Sequence, residues 1–513
     1  MAQSLQTFSI TAPGFMGLNT QDSSLDLSSG FALTAKNCVI DQYGRIGARK
    51  GWTPEHATNA DLGTAKVKAI GELLTDDGTT YIIAAGNNKL FKMSAGSLVQ
   101  LTYGGGGVAP TITDDNWQIV ALNEVLYLFQ SGHDPLLFDP ALSTTTYRRI
   151  SEKPGYAGSV SSGNTVLAAY GRLWVADTAT NKVTVQFSDV LAGHVWTGGT
   201  SGSLSIEQVW PNGADNIVAL GAHNGFLFIF GKNNILVYAN AQNPASLTLS
   251  DAVTGIGCIA RDSVADTGSD LIFLSSTGVR SVLRTIQEKS APLRDLSKNV
   301  RNDLMSIISG ETLKNIKAVY SPFDSFYVLT LPSVDQTYCF DTKAMLQDGA
   351  ARVTTWTQNT ASSFCYTSDR RMLMGFAGYV GKYTGYLDNG VSYRFQYYTN
   401  HTDLGTPSVS SILKKLKIVV IGGSGQDVSI MWGYDFQSNY RSQITSIPNQ
   451  GVDYYGIAEY GIDEYARGVL MTELVAYPTG QGVVIQTGYE SDIIGNPLSI
   501  QKIEVWAKNG KVF

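Results

Sequence analysis

The chain is poor in charge. Asp, Glu, Lys and Arg make up 16% of its 513 residues, against roughly 25% in an average soluble protein. Cysteine is scarce too. Cys38, Cys258, Cys339 and Cys365 lie far apart and form no CxxC pair, so they read as small buried hydrophobes ahead of metal or disulfide roles. None of the five histidines, His56, His133, His194, His223 and His401, belongs to an HExxH or a Cys/His cluster, and no metal is expected. Phosphate-loop and GxSxG nucleophile motifs are missing. The opening MAQSLQTFSITAPGF lacks the basic-then-apolar pattern of a secretory leader. The longest apolar stretches, such as 418–421, are too short to span a bilayer. A soluble protein made in a reducing cytoplasm is expected. The formal charge of −6 speaks against a groove that grips nucleic acid through dense Lys and Arg, but not against a channel through which DNA slides.

What is present points to β-structure. Hydrophobic residues are 43%, aromatics 10%, and there are 53 glycines, a composition suited to many short strands and tight turns. From about 65 to 390 the chain repeats a bulky strand, a turn and a partner strand. The bulky strands centre on Leu90, Leu126, Leu173, Leu227, Ile272, Tyr327 and Leu373, spaced by 36, 47, 54, 45, 55 and 46 residues. Units of this length with several short strands predict a β-propeller. Seven units are counted, with six or eight open, and a pair of large β-sandwiches is the alternative. Asp77-Gly78, Asn224-Gly225 and Asn389-Gly390 are hairpin dipeptides.

Three segments depart from the repeat. Leu296, Val300, Leu304 and Ile308 recur every four positions between Asp295 and Gly310, which predicts one inserted helix over 295–309 capped by Asp295 or Ser297. Residues 391–513 have longer strands, with Val428, Ile430 and Trp432 alternating, and read as a β-sandwich. There Lys414, Lys415 and Lys417 are read as protection of a sheet edge. Residues 1–64 are read as an extended, irregular segment that packs on the C-terminal domain or reaches a neighbouring subunit.

A search for chemistry nominates no catalytic, cofactor-binding or metal-binding residue. Gly104 to Gly107 lacks the Lys and the helix of a phosphate cradle. The stretch from Thr75 to Tyr81 approaches a sialidase Asp box, but Asp77 and Gly78 are adjacent where one residue should intervene. Glycosidase chemistry needs two carboxylates at a set separation, and the sequence singles out no pair. Residues 455–465 form a five-residue repeat with Tyr455, Tyr460 and Tyr465 in register beside Glu459, Asp463 and Glu464. This suits a packed loop, a partner-facing loop or a cation site.

The N-terminal stretch GFMGLNTQDSSLDLSSGFALTAKNCVIDQYGRIGARKGW, with Gly17, Asn37, Gly44, Arg49 and Gly51, resembles the opening of short-tailed bacteriophage nozzle proteins (tail tubular protein B-like) and of phage packaged-DNA stabilisation proteins. Ser188, Asp189, Trp196 and Gly221, and the turn from Ser276 to Val282, are similar to the propeller of those proteins. The resemblance implies a virion tail protein without enzymatic activity or cofactor. It would form a homohexameric nozzle or hub ring below the adaptor, the head-to-tail connector. It would continue the DNA channel, retain packaged DNA and let it be ejected, with fibres or spikes attached nearby. Double-stranded DNA would pass through the lumen without sequence-specific binding. Six copies at −6 each would carry −36. The alternatives are a carbohydrate-binding or carbohydrate-cleaving propeller and a tail-associated receptor-binding protein.

Overall fold

The bulky strands are buried on both faces, and that burial sets the architecture. In the computed structural model, which describes residues 5–113, 116–178, 180–287, 295–403, 409–449 and 471–512, every residue of Val125–Phe129, Leu271–Ser275 and Phe326–Leu331 is buried. Successive side chains of a strand point to opposite faces, so each such strand feeds two cores. Leu126 and Leu128 cluster with Ile83 and Leu90 of the preceding sheet. Tyr127 and Phe129 cluster with Leu173 and Val175 of the following one.

The same alternation continues around a circle. Trp174 meets Leu227, Phe230 meets Phe273, Leu274 meets Tyr327, and Val328 meets Met374. Leu373 then meets Phe91 of the first sheet. Seven apolar clusters thus join seven sheets into a closed β-propeller. Blade five has three strands, Ala265–Asp266, Leu271–Ser275 and Gly278–Ser281. The others have four or more.

The repeat was legible but its phase was not. Six of the seven bulky strands are second strands of their blades, each preceded by an inner strand. Leu90 instead lies on the third strand of blade one, Lys89–Ser94, behind Thr80–Gly86. Counting from Ile83, the first spacing becomes 126 − 83 = 43, which removes most of its raggedness. Inner strands carry no bulky run because they line the axis and mix polar with apolar residues, as in Lys317–Ser321 and Ser363–Tyr366. Asn224 and Gly225 both have positive φ (49° and 82°), as a two-residue hairpin turn requires.

The N-terminal segment is irregular only in part, over stretches such as 19–30 and 55–64, and it packs into the C-terminal domain. Leu5–Thr11, Phe31–Lys36, Cys38–Ile40 and Ile46–Ala48 are strands of the C-terminal sandwich. Trp52–Pro54 is the outer strand of blade seven, paired with Tyr379–Tyr383. The N-terminus therefore closes the propeller ring. One sandwich sheet runs 471–476, 409–422, 498–512, 46–48 and 38–40, with Leu5–Thr11 also on 498–512. The other continues blade six. Arg352–Trp356 meets Phe31–Lys36, followed by Tyr393–Thr399, Ile485–Ile493, Asp427–Tyr434 and Arg441–Ser446, so ten strands span both domains. Val428, Ile430 and Trp432 are buried in the sandwich core.

Two further expectations are corrected. The helix is Arg301–Ser309, starting six residues later than expected and entered through a 3-10 turn at Lys298–Val300. Asp295 does not cap it. Its carboxylate instead accepts from Arg301 Nε at 2.8 Å and from the Ser297 hydroxyl at 3.1 Å. A short helix Val282–Gln287 precedes it. Of the lysine cluster, Lys417 does not guard an edge. Lys417 lies opposite Val475 on one side and Glu504 on the other, and its ammonium pairs with Glu473. Lys415 lies over the Trp506 ring, 5.1 Å from its centroid, and Lys414 is the extra residue of a bulge.

Candidate functional site: the axial mouth of the propeller

Each inner strand begins at one end of the propeller axis, where polar residues gather. A cavity of about 240 Å³ opens there between Asn116, Asn164, Asn216, Lys182, Lys232 and the pair Arg261-Asp262. A smaller recess joins it past Lys66 and Lys68. A second cavity of about 200 Å³ lies deeper along the strands. Arg261, Asp262 and Lys317 line the axis between them.

These three residues plug the channel. Arg261 sits in the 3-10 turn Arg261–Ser263, which takes the place of most of blade five's inner strand. Its guanidinium bonds Asp262 through Nε at 2.7 Å and Nη2 at 2.8 Å. It also reaches the Trp117 carbonyl at 2.8 Å, the Asn116 carbonyl at 3.2 Å and the Asn164 side chain at 2.8 Å. One side chain therefore ties blades two, three and five together. Lys317 of blade six completes the bridge by pairing with Asp262.

The electrostatics follow from that geometry. Burial pushes the Asp262 carboxyl up, but the Arg261 guanidinium and the Lys317 ammonium outweigh it and hold it at about 2. Burial pulls the Lys317 ammonium below its usual range, and Asp262 only partly restores it. A carboxyl depressed in the folded state stabilises the fold above its unfolded pKa of about 3.9, and the benefit is lost as pH falls to the folded value. About 2 kcal/mol of stability is therefore expected to disappear between about pH 4 and pH 2. Urea midpoints at pH 5 and pH 2.5, compared between the natural chain and Asp262→Asn, check this. The natural chain should lose more than the variant.

The other sequence candidates are dispersed. Gly106 N–H donates to the Glu152 carboxylate at 3.1 Å, so an internal acid occupies the glycine loop. Asp77 accepts from Thr79 N–H at 2.8 Å and from the Thr75 hydroxyl at 2.6 Å, as a hairpin turn. His56 Nε2 accepts the Val380 N–H at 2.9 Å, and burial lowers its pKa. All four cysteines are free thiols, and burial pushes Cys258 and Cys365 up to about 12. Among the described residues no three His, Cys, Asp or Glu side chains form a metal-sized group, and no helix is long and apolar enough to cross a membrane. Residues 455–465 lie outside the described residues.

A larger recess of about 450 Å³ lies where blade six and blade seven meet the sandwich, walled by Phe323, Phe326, Tyr383 and Tyr386. Its acids are committed to cations. Asp324 pairs with Lys50 at 2.9 Å, and Asp41 with Arg45 at 2.6 Å. Burial pushes the Asp295 carboxyl up, as a general acid would need, yet Asp295 is only 2% exposed and bound to Arg301.

The landmark residues of the N-terminal stretch meet at the seam between the domains. Arg49 is fully buried and grips Asp388 through Nη1 at 2.8 Å and Nη2 at 2.6 Å. Its Nε donates to Asn37 at 3.0 Å, and its guanidinium lies 4.0 Å from the Tyr393 ring centre. Asn37, at φ 55°, also donates to the Arg394 carbonyl at 2.8 Å. A Cβ on Gly51 would stand 2.0 Å from the Leu387 carbonyl oxygen, and one on Gly17 2.7 Å from that of Val353. Gly44 lies in the turn between Cys38–Ile40 and Ile46–Ala48. In blade three, Ser188 is fully buried and accepts the Leu173 N–H at 3.1 Å. Asp189 accepts the Thr200 N–H at 2.9 Å, and the Trp196 indole donates to the Gly193 carbonyl at 3.1 Å. No landmark lines the axial mouth.

No local sequence pattern marks the mouth. Arg261-Asp262 is a common dipeptide, and Lys317 stands 55 residues further on, so no local spacing announces the triad.

No family model and no curated protein matches the chain. Among solved structures, it is similar to the Pan2 WD40 domain of Neurospora crassa, at 9% identity and TM-score 0.39, covering 65% of this chain and 96% of that one. It is also similar to the extracellular domain of a one-component system of B. thetaiotaomicron, at 11% identity and TM-score 0.41, covering 84% and 60%. A third likeness is an exo-β-1,3-galactanase from Phanerochaete chrysosporium with galactose, at 10% identity and TM-score 0.26, covering 79% and 98%. These likenesses are distant, and the all-β propeller-and-sandwich assignment rests on the chain's own strand order.

Proposed function

We propose that this chain is a structural subunit of a bacteriophage tail, a nozzle or hub ring below the adaptor that extends the DNA channel, retains packaged DNA and allows its ejection. The observation that carries the reading is the seam. Gly17, Asn37, Arg49 and Gly51, which carry the resemblance, pack where the N-terminal segment is threaded through both domains. They serve the joining of a propeller to a sandwich, as expected of a load-carrying subunit. The plug of Arg261, Asp262 and Lys317 adds a constraint. DNA cannot thread a single propeller, so in this reading the channel lies between subunits of the ring. Identical copies would meet through heterologous interfaces that close by rotation.

A second reading, a carbohydrate-binding propeller, draws on the aromatic-walled recess of Phe323 and Tyr386, because sugar rings stack on such walls. Light scattering and negative-stain imaging of the purified chain, alone and beside disrupted virions, separate the two. A six-fold ring, or a monomer that fits distal tail density, is the expected result. A stable monomer absent from virions that binds or cleaves glycans would overturn the tail reading.

A further inference from the structure

We infer that the axial mouth is a binding site for a compact, multiply charged phosphoryl group. The protein carries a net −6, yet this mouth collects cations. Lys66, Lys68, Lys182, Lys232, Arg261 and Lys317 line the two outer recesses and the cavity beneath, against Asp177 and Asp262 among the described lining residues. Both acids are already used, Asp177 by Lys182 and Asp262 by Arg261 and Lys317. Lys66, Lys68 and Lys232 make no ion pair among the described residues. Among the described residues, two carboxylates near the mouth are engaged by backbone N–H groups. Asp215 accepts the backbone N–H groups of Lys232 at 3.0 Å and Asn233 at 2.8 Å. Glu311 accepts the Ser333 N–H at 2.8 Å. Repulsion from Lys68 and Arg261 pulls the Lys317 ammonium down further, beyond the effect of its burial. Two cations share the single carboxylate of Asp262, and such an excess of like charge is relieved by a bound anion.

The chemistry of the donors selects the anion. Arg261 has its guanidinium committed to Asp262 and to carbonyls, so no free fork remains for the bidentate capture of a planar carboxylate. What remains are ammonium groups, which bind phosphate as point charges from several directions. The amides of Asn116, Asn164 and Asn216 add neutral polar groups to the lining. Among the described residues no aromatic ring lines the outer cavity, so none of them stacks on a base or a sugar there. The plug closes the floor, and the ligand enters end-on. The source is a free polyphosphorylated compound or the phosphorylated end of a chain. This site stands independently of the tail reading.

Calorimetric titration of the full chain with tripolyphosphate tests the proposal. Saturable binding at one per chain is expected, weakening as salt rises. The double variant Lys66→Ala/Lys232→Ala changes two exposed side chains and should weaken binding at least tenfold without moving the melting temperature. Lys414→Ala, on the sandwich, should leave it unchanged. Competition by a 5′-phosphorylated single-stranded oligonucleotide, but not by its unphosphorylated form, supports the site and assigns a chain end. Failure of both oligonucleotides to compete supports the site and assigns a small compound. Absence of saturable binding, equal binding of citrate, unchanged affinity in the double variant, or competition that ignores the terminal phosphate would overturn it.

Discussion

Arg49→Ala is expected to lower the stability of the whole chain by about 3–5 kcal/mol, the usual result of removing one partner of a buried ion pair. Arg49 is fully buried, and Asp388 is 8% exposed. Alanine would leave the Asp388 carboxylate in the interior without its bidentate partner, and would strip donors from the Asn37 and Thr357 oxygens. It would also empty the face of Tyr393. Arg49→Lys should recover little, because an ammonium cannot reproduce the fork that meets both Asp388 oxygens. The double variant Arg49→Ala/Asp388→Ala should be less damaged than the sum of the two single changes by about 1–3 kcal/mol, since it leaves no orphaned charge. Urea denaturation of the four proteins reads the cycle. Additive losses would show that the pair is not coupled.

A chain beginning at residue 55 is expected to lose cooperative unfolding altogether. That deletion removes the outer strand of blade seven, where Trp52 stacks on Phe376 with ring centres 4.0 Å apart. It also removes five strands from the sandwich sheets, Gly17–Leu18 among them. Among these, Phe31–Lys36 joins blade six to the sandwich sheet, pairing with Tyr393–Thr399 and bridging to Thr355. Opening the ring exposes the apolar face of blade seven, and opening the sandwich exposes the face around Tyr397, which is fully buried and packs on Phe15. A chain beginning at residue 12 should behave differently. It loses only Leu5–Thr11, an edge strand paired with 498–512, and should keep a sharp transition at a lower midpoint. Calorimetry and limited proteolysis of both chains make the comparison. A cooperative transition in the shorter chain would show that the N-terminal strands are dispensable.

Both experiments address features that no local pattern in the chain records. The bulky strands were legible because burial on both faces leaves a continuous apolar run, as in Phe226–Gly231, whose residues from Leu227 on are all buried. The inserted helix was legible because Leu304 and Ile308 repeat at helical spacing, although its first turn tightened into a 3-10 turn once Asp295 was drawn to Arg301. The inner strands left no such run, because one of their faces meets the polar axis. Leu90 misled the blade phase because the third strand of blade one is as apolar at its centre as a second strand, with Leu90 and Phe91 both buried.

Local patterns in the chain suffice to show that it is β-built, repeats about every 45 residues, turns at Asn-Gly pairs and changes character after about 390. Each of these depends on side-chain period or on backbone freedom within a few residues. Only the tertiary structure decided the rest: that Trp52–Pro54 closes the ring against Tyr379–Tyr383, that Arg49 meets Asp388 across 339 positions, that Lys417 sits inside a sheet instead of guarding one, and that Arg261, Asp262 and Lys317 plug an axis built from all seven blades. Strand pairing and ion pairing between distant segments are selected by the burial each gains when the whole ring closes. That energy belongs to no single segment, so no single segment carries its mark.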